Sequence, residues 1–278
     1  MNDTPLVSIL MTSYNREKYI GAAIESVLAS TYRNLELIVV DDRSKDSTVQ
    51  IARSYAEKDN RVHVHVNEHN LGDYPNRNQA AAHAKGKYIK YVDADDLIYP
   101  YGLELLVHSM EQFPEARWGL CSLDQDEKRI FPFVLSPKEA YEYHYLGTGL
   151  FHKAPLSAII RRDLFNEVGG FKPIRMAGDN EMWHRLAQKH PVLLMQHGIV
   201  WYRKHDAQEM TVYHTFREVY RGISSSYLKD KDCPLDKNTS IQILKKQQNL
   251  ALRAVAKNML KGKLAQAKQE FSYYRTLG

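Results

Sequence analysis

The chain has 278 residues, 44% hydrophobic and 26% charged, which allows one sizeable domain of roughly 200–250 residues plus an appendage. Its two cysteines, Cys121 and Cys233, lie far apart, which argues against a disulfide framework and fits a reducing compartment. The net charge of +5 is uneven: residues 212–278 carry 13 Lys and Arg against 5 Asp and Glu, and a basic surplus confined to that end, with no recognition motif, argues against a nucleic-acid protein.

In chain order, Leu6–Met11 reads as a buried strand, and Thr12-Ser13-Tyr14-Asn15-Arg16 as a polar turn. A helix over 17–30 carries Tyr19, Ile20, Ala23, Ile24, Val27 and Leu28 on one face. The segment before it, Met1–Pro5, lacks the basic and apolar regions of a signal peptide. Leu35–Val40 is a second strand, and Asp46-Ser47-Thr48 starts a helix running to about residue 57. Val62–Val66 alternates and reads as a third strand. Asn76–Ala84 is predicted helical and Lys87–Val92 is a fourth strand.

Strand and helix alternate with short connections, which predicts an α/β fold with a mostly parallel sheet and helices on its faces. Ligands in such sheets bind outside the carboxyl ends of the strands. Three polar clusters fall there: Thr12–Asn15, Asp41–Asp42 and Asp93–Asp96. The last is the most informative. Asp93, Asp95 and Asp96 crowd together after an apolar run, and clustered carboxylates repel unless a cation neutralises them. The plainer alternative is a polar loop with an Asp capping the next helix.

Beyond residue 97 the pattern loosens. Residues 101–113 read as a helix and 117–123 as a strand. Residues 124–156 are aromatic and loop-rich, and either line an acceptor pocket or form a tight irregular segment. Ser157–Ile160 reads as a strand and Arg162–Val168 as a helix, followed by a turn at Gly169-Gly170-Phe171. Near the C-terminus, Leu252, Val255, Ala256 and Met259 follow helical spacing, Gly262 breaks the pattern, and Leu264–Tyr274 continues it. This is a helical hairpin whose apolar faces are expected to pack on the main domain. Its basic surplus, +8 over residues 212–278, is either a solvated surface or a weak peripheral contact with an anionic membrane. No run approaches the ~18 apolar residues of a membrane span.

Four blocks, Val7–Asn15, Glu36–Ser44, Asn70-Leu71-Gly72 with Arg77-Asn78, and Asp93–Asp96, together resemble the inverting glycosyltransferase family 2, which has the GT-A fold. The resemblance covers about residues 5–205. A fifth block, Ala177–Leu186, matches at Asp179, Trp183 and Arg185, but Gly178 stands where the family usually has Glu. A sixth, Tyr202-Arg203-Lys204-His205, is similar to the family's late Tyr-Arg-x-His segment. The implied organisation is a catalytic domain over 1–210, with a nucleotide-sugar half (1–96) and an acceptor half (97–210), followed by a basic extension over 211–278.

The resemblance implies transfer of a sugar from a nucleotide diphosphate donor to a glycan or lipid-linked acceptor hydroxyl, in the cytoplasm or at the inner face of its membrane, with a role in surface polysaccharide synthesis. It implies that Asp95 binds a divalent metal, Mn²⁺ or Mg²⁺. Asp93 faces the donor ribose or the metal's water shell. His205 completes the coordination, touches the diphosphate, or is a plain loop histidine. Asp179 is the general base, with Glu181 next in line, and an N-cap role for Asp179 is compatible with catalysis. Asp42 reads the nucleobase imide N–H, which favours uracil or thymine; Tyr14 stacks on the base and Thr12 offers its backbone. Arg77 forks onto the diphosphate or donor sugar. Asp41 is structural and Asp96 is a helix cap. A nucleotidyltransferase of similar layout would need a glycine-rich phosphate loop after the first strand, and Thr12–Arg16 has no glycine. A non-catalytic binding module would be expected to lose Asp95 or Asp179, and both are present.

Overall fold

A computed structural model of the protein describes residues 4–205 and 215–277, so the expected boundary at 210/211 lies outside the described residues. The first half alternates as expected: β1 (Val7–Ser13), α1 (Ile20–Leu28), β2 (Leu35–Asp41), α2 (Thr48–Ala56), β3 (Val62–Val66), α3 (Asp73–Ala82) and β4 (Tyr88–Tyr91). β1 pairs in parallel with β2 and β4, and β2 with β3. Every residue of β2 and β4 is buried, the reason these strands read as unbroken apolar runs. Alternating side chains feed two cores: Ile9 and Met11 pack with Ile24 and Leu103 on one face, Leu10 and Ile38 with Trp118 and Trp183 on the other.

The second half adds β5 (Leu97–Ile98), α4 (Gly102–Gln112), β6 (Trp118–Leu123), β7 (Phe133–Leu135), α5 (Pro137–Leu146), β8 (Ala158–Arg161), α6 (Arg162–Glu167), α7 (Gly178–Lys189), β9 (Val192–Gln196) and β10 (Val200–Trp201). The main sheet has eight strands in the order β3-β2-β1-β4-β8-β6-β9-β7, with β8 antiparallel to both its neighbours. The chain steps outward from β1 to β3, then returns through α3 to lay β4 on the other side of β1. That reversal opens a crevice at the carboxyl ends of β1 and β4. A separate two-stranded ribbon, β5 with β10, holds residues 202–205 against the segment after β4.

Two expectations are corrected here. The stretch 124–156 is not loop-rich throughout, since it contains β7 and α5. No apolar stripe marks α5, because Tyr, His, Lys and Glu surround it; its legible signal is the capping box of Ser136 and Glu139 with Pro137 at the first position. Tyr141, His144 and Phe151 are buried and build core.

The second correction concerns the tail, which forms α8 (Arg217–Lys229) and a hairpin of α9 (Lys237–Leu260) and α10 (Leu264–Leu277). The residues of α9 that bury are Ser240, Ile243 and Ala251, whereas Leu252 is 41% and Met259 59% exposed. The apolar stripe read from the sequence therefore faces outward, because the hairpin seam is made elsewhere, by Ala251, Tyr273 and Leu277. Among the described residues no helix is long and apolar enough to cross a membrane.

Candidate active site

The crevice is a cleft of about 640 Å³ whose walls include Thr12, Tyr14, Asp42, Arg77, Asp93, Asp95 and Asp179. Seven residues singled out in the sequence thus meet in one place, and His205 joins them through Asp95.

On the side of β1 and β2, Asp41 is structural, as expected: it accepts from Ser13 Oγ (2.8 Å), Ser44 N (2.7 Å) and Ser44 Oγ (2.6 Å). Asp42 is 3% exposed. Its Oδ1 accepts from Leu71 N (2.8 Å) and Asn67 Nδ2 (2.9 Å), and its Oδ2 from Gly72 N (2.9 Å). Gly72 adopts φ +83°, a conformation open to glycine that turns its N–H toward Asp42. A carboxylate has about four acceptor positions, so Asp42 keeps roughly one for a ligand. Tyr14 is 42% exposed on the loop after β1.

After β4, Asp93 Oδ1 accepts from Arg77 Nη1 (2.6 Å), and Arg77 Nε donates to Asp73 Oδ1 (2.8 Å). Two of the guanidinium donors expected to meet a diphosphate are thus committed to carboxylates. Asp95 Oδ2 accepts from Arg16 Nε (2.8 Å) and lies 3.1 Å from His205 Nε2. The His205 ring stacks on Tyr19 at 4.7 Å. Asp96 is not a helix cap: β5 follows it, and α4 begins only at Gly102. Instead its Oδ1 accepts from Arg203 N (2.8 Å), tying the 202–205 segment down, while Arg203 Nε donates to Asp95 O (2.8 Å). Burial, reinforced by Asp93, pushes the Asp96 carboxyl up to about 8.

Beneath this cluster sits Lys90, fully buried in β4, with Nζ donating to Leu156 O. Burial lowers its pKa to about 8, opposed by Cys121, Asp93 and Asp96. Neither Lys90 nor Arg16 was anticipated as a partner of the carboxylates, although a lysine inside the run Tyr88–Val92 was a visible signal that a buried charge needed company.

Asp95 and His205 present two donors about 3 Å apart, as neighbouring ligands on an octahedral ion with bonds of about 2.1 Å would be. Among the described residues no three His, Cys, Asp or Glu side chains form a group that could hold an ion alone. That pattern fits an ion completed by substrate phosphates and water.

The same cleft is lined by Asp179. This residue lies in the first turn of α7 and is not the N-cap, which is Ala177, though its Oδ1 accepts from the first-turn amide Asn180 N (2.6 Å). Burial raises its pKa to about 7, against the opposing hydrogen bonds from the Asn180 amide and the Tyr74 hydroxyl. Tyr74, 3% exposed, explains Gly178. A Cβ at 178 would stand 2.7 Å from the Tyr74 ring and 2.8 Å from Lys172 O, so a glutamate would collide there. Glu181 turns away from the cleft and accepts from Lys172 Nζ (2.6 Å), Tyr227 Oη (2.8 Å) and Arg185 Nη2 (3.1 Å). Trp183 and Arg185 are scaffold: Trp183 stacks on Trp118 at 5.7 Å, and Arg185 donates to Gly170 O (2.7 Å).

The cleft is completed by an element sequence reasoning did not connect to the site. Tyr220 of α8 lines the cleft and donates to Met176 O, and Arg175 Cζ lies 5.5 Å over the Phe216 ring. Met176 is a non-glycine residue at φ +65° just before α7, so its carbonyl is pinned where the backbone is strained. Of residues 124–156, Ala154 and Pro155 reach the cleft, so of the two readings left open for this stretch the pocket-lining one holds only at its end.

A family model for Glycosyl transferase family 2 matches residues 8–169. The putative glycosyltransferase EpsE of Bacillus subtilis is 31% identical over 199 residues, covering 68% of this chain and 69% of EpsE. An uncharacterised glycosyltransferase of Rickettsia typhi is 29% identical over 238 residues, covering 81% and 72%. In three dimensions the chain is similar to TarS 1–349 of S. aureus in complex with UDP-GlcNAc, with a TM-score of 0.63 at 18% identity over 97% of this chain and 91% of that one. It is also similar to the mannosyltransferase PcManGT of Pyrobaculum calidifontis in complex with GDP-Man and Mn²⁺, with a TM-score of 0.61 at 15% identity over 99% and 86%. These likenesses establish the GT-A fold, and the match spans the Asp42, Asp93 and Asp95 loops, so the chain belongs to glycosyl transferase family 2.

Proposed function

We propose that the protein transfers a sugar from a nucleoside diphosphate donor, uridine or thymidine, to a hydroxyl of a glycan or lipid-linked acceptor, in one displacement that inverts the anomeric carbon. The observation that carries this reading is that Asp179 lines the same cleft as Asp93 and Asp95. The acceptor hydroxyl gives its proton to Asp179 as its oxygen bonds to the anomeric carbon. The bond from that carbon to the diphosphate oxygen breaks, and its electron pair leaves with the diphosphate. A carboxyl raised to about 7 is a better proton acceptor than an ordinary aspartate and is still substantially ionised near neutral pH.

On the donor side, Asp42 accepts from the imide N–H of uracil or thymine, Tyr14 stacks on the base and Thr12 lines the same pocket. Arg77 fixes Asp93 toward the ribose or the water shell of the ion. Asp95 and His205 would hold Mn²⁺ or Mg²⁺, with Asp93 acting through water; such an ion supplies Lewis-acid stabilisation of the leaving diphosphate. The place of action is the cytoplasm, in surface polysaccharide synthesis. Calorimetry with uridine and guanosine diphosphates in Mn²⁺ tests the donor reading. Tighter binding of the uridine nucleotide is expected, and tighter binding of the guanosine nucleotide contradicts the role given to Asp42. Release of nucleoside diphosphate from a panel of nucleotide sugars then identifies the sugar.

A further inference from the structure

The C-terminal hairpin is chemically unlike the rest of the molecule. From Lys237 to Gln269 it holds eight Lys and Arg and no Asp or Glu. Among the described residues none of the eight forms an ion pair. The first acid beyond them, Glu270, is turned inward onto Arg217 (3.2 Å) and Arg221 (2.8 Å) of α8. The hairpin is attached at its base: Ile243 joins the main core, Arg221 lies 4.5 Å over the Tyr273 ring, and Lys229 Nζ donates to Thr276 O (2.8 Å). Its turn is the opposite. Met259 is 59%, Leu260 90% and Leu264 69% exposed, interleaved with Lys261 and Lys263.

We propose that this turn docks on the surface of an anionic lipid bilayer, with Met259, Leu260 and Leu264 entering the acyl boundary and Lys261 and Lys263 meeting the headgroups. Bulky apolar side chains ringed by lysines, without acids, are what an interfacial segment presents to such a surface. Nucleic acid would use the lysines but leave the leucines in water. A second copy would bring two acid-free cationic hairpins together, which repels. The inference is independent of the donor and acceptor assignments above.

The test is co-sedimentation of the full chain with vesicles of phosphatidylcholine alone, or with about 30% phosphatidylglycerol, in low salt (about 50 mM NaCl) and high salt (about 500 mM), where charge interactions are screened within a few ångströms. Wild type should bind the anionic vesicles, prefer them clearly to neutral ones, and keep part of that binding in high salt. Leu260→Ser with Leu264→Ser should lower the high-salt binding about tenfold. Lys261→Glu with Lys263→Glu should lower the low-salt binding about tenfold or more. All four side chains are exposed and lie outside the cleft, so unchanged thermal melting of the variants confirms that the fold is kept. Absence of wild-type binding to anionic vesicles in low salt overturns the proposal, as does equal binding of the leucine variant. Concentration-dependent dimerisation abolished by the leucine variant would also overturn it, by assigning the face to a second copy.

Discussion

The two walls of the cleft are built in different ways. On the wall proposed to hold the donor, Thr12, Asp42, Asp93 and Asp95 lie at or just after the carboxyl ends of three neighbouring parallel strands, so strand geometry alone brings them together. On the wall proposed to receive the acceptor, Asp179 opens a helix, and Met176 before it is pinned by Tyr220 of α8, an element far along the chain. The donor wall is thus a property of the sheet, and the acceptor wall a property of how distant elements pack. One wall should tolerate changes of its neighbours but not of its own carboxylates; the other should respond to residues that never touch substrate.

The largest expected effect is on the donor wall. Asp95→Ala removes the carboxylate that converges with His205, and turnover should fall by about 10³-fold or more, since the interaction it serves is worth several kcal/mol. Calorimetry should show weakened binding of uridine diphosphate in Mn²⁺. Full turnover of this variant, or of wild type in a chelator, removes the metal from the account.

A smaller effect is expected across the cleft, at a residue with no side chain. Gly178→Ala places a Cβ against the buried Tyr74 ring and Lys172 O, and should cost about 1–3 kcal/mol of stability by overpacking. Denaturant midpoints measure this. An unchanged midpoint means that Tyr74 moves aside easily and does not define this wall.

Smaller still is Tyr74→Phe, which deletes the hydroxyl that donates to Asp179. That bond favours the ionised carboxylate, so its loss should raise the pKa governing activity and lower kcat/KM near pH 6.5 by up to about tenfold, at a typical net worth of about 0.5–1.5 kcal/mol. Nucleotide binding should be unchanged. A pH profile identical to wild type separates Tyr74 from the base.

What was legible in the sequence follows the same division. The apolar runs of β1, β2 and β4, with the polar turn after the first and the aspartates after the other two, announced the parallel sheet and the cleft, because burial on both faces leaves an unbroken pattern. Asp96 misled because an Asp after a strand resembles a cap, whereas its carboxylate binds the backbone of Arg203 more than a hundred residues away. The exposure of Leu252 and Met259 was equally hidden: helical spacing says that residues share a face, not what that face meets. Gly178 was visible as a departure, but its cause, the Tyr74 ring, belongs to another helix.

Asp179→Asn tests the central claim most directly, because it keeps the shape of the base and removes its basicity. Transfer should fall about 10²–10⁴-fold while binding of uridine diphosphate with Mn²⁺ stays at the wild-type value. In wild type, kcat/KM should decline as pH falls through about 7, where a raised carboxyl takes up its proton. The same raised value means that Asp179 favours the folded state at low pH and loses that contribution as pH rises through about 7, so the Asn variant should melt no lower than wild type at alkaline pH. A variant that transfers sugar at the wild-type rate would contradict the account and place the base elsewhere.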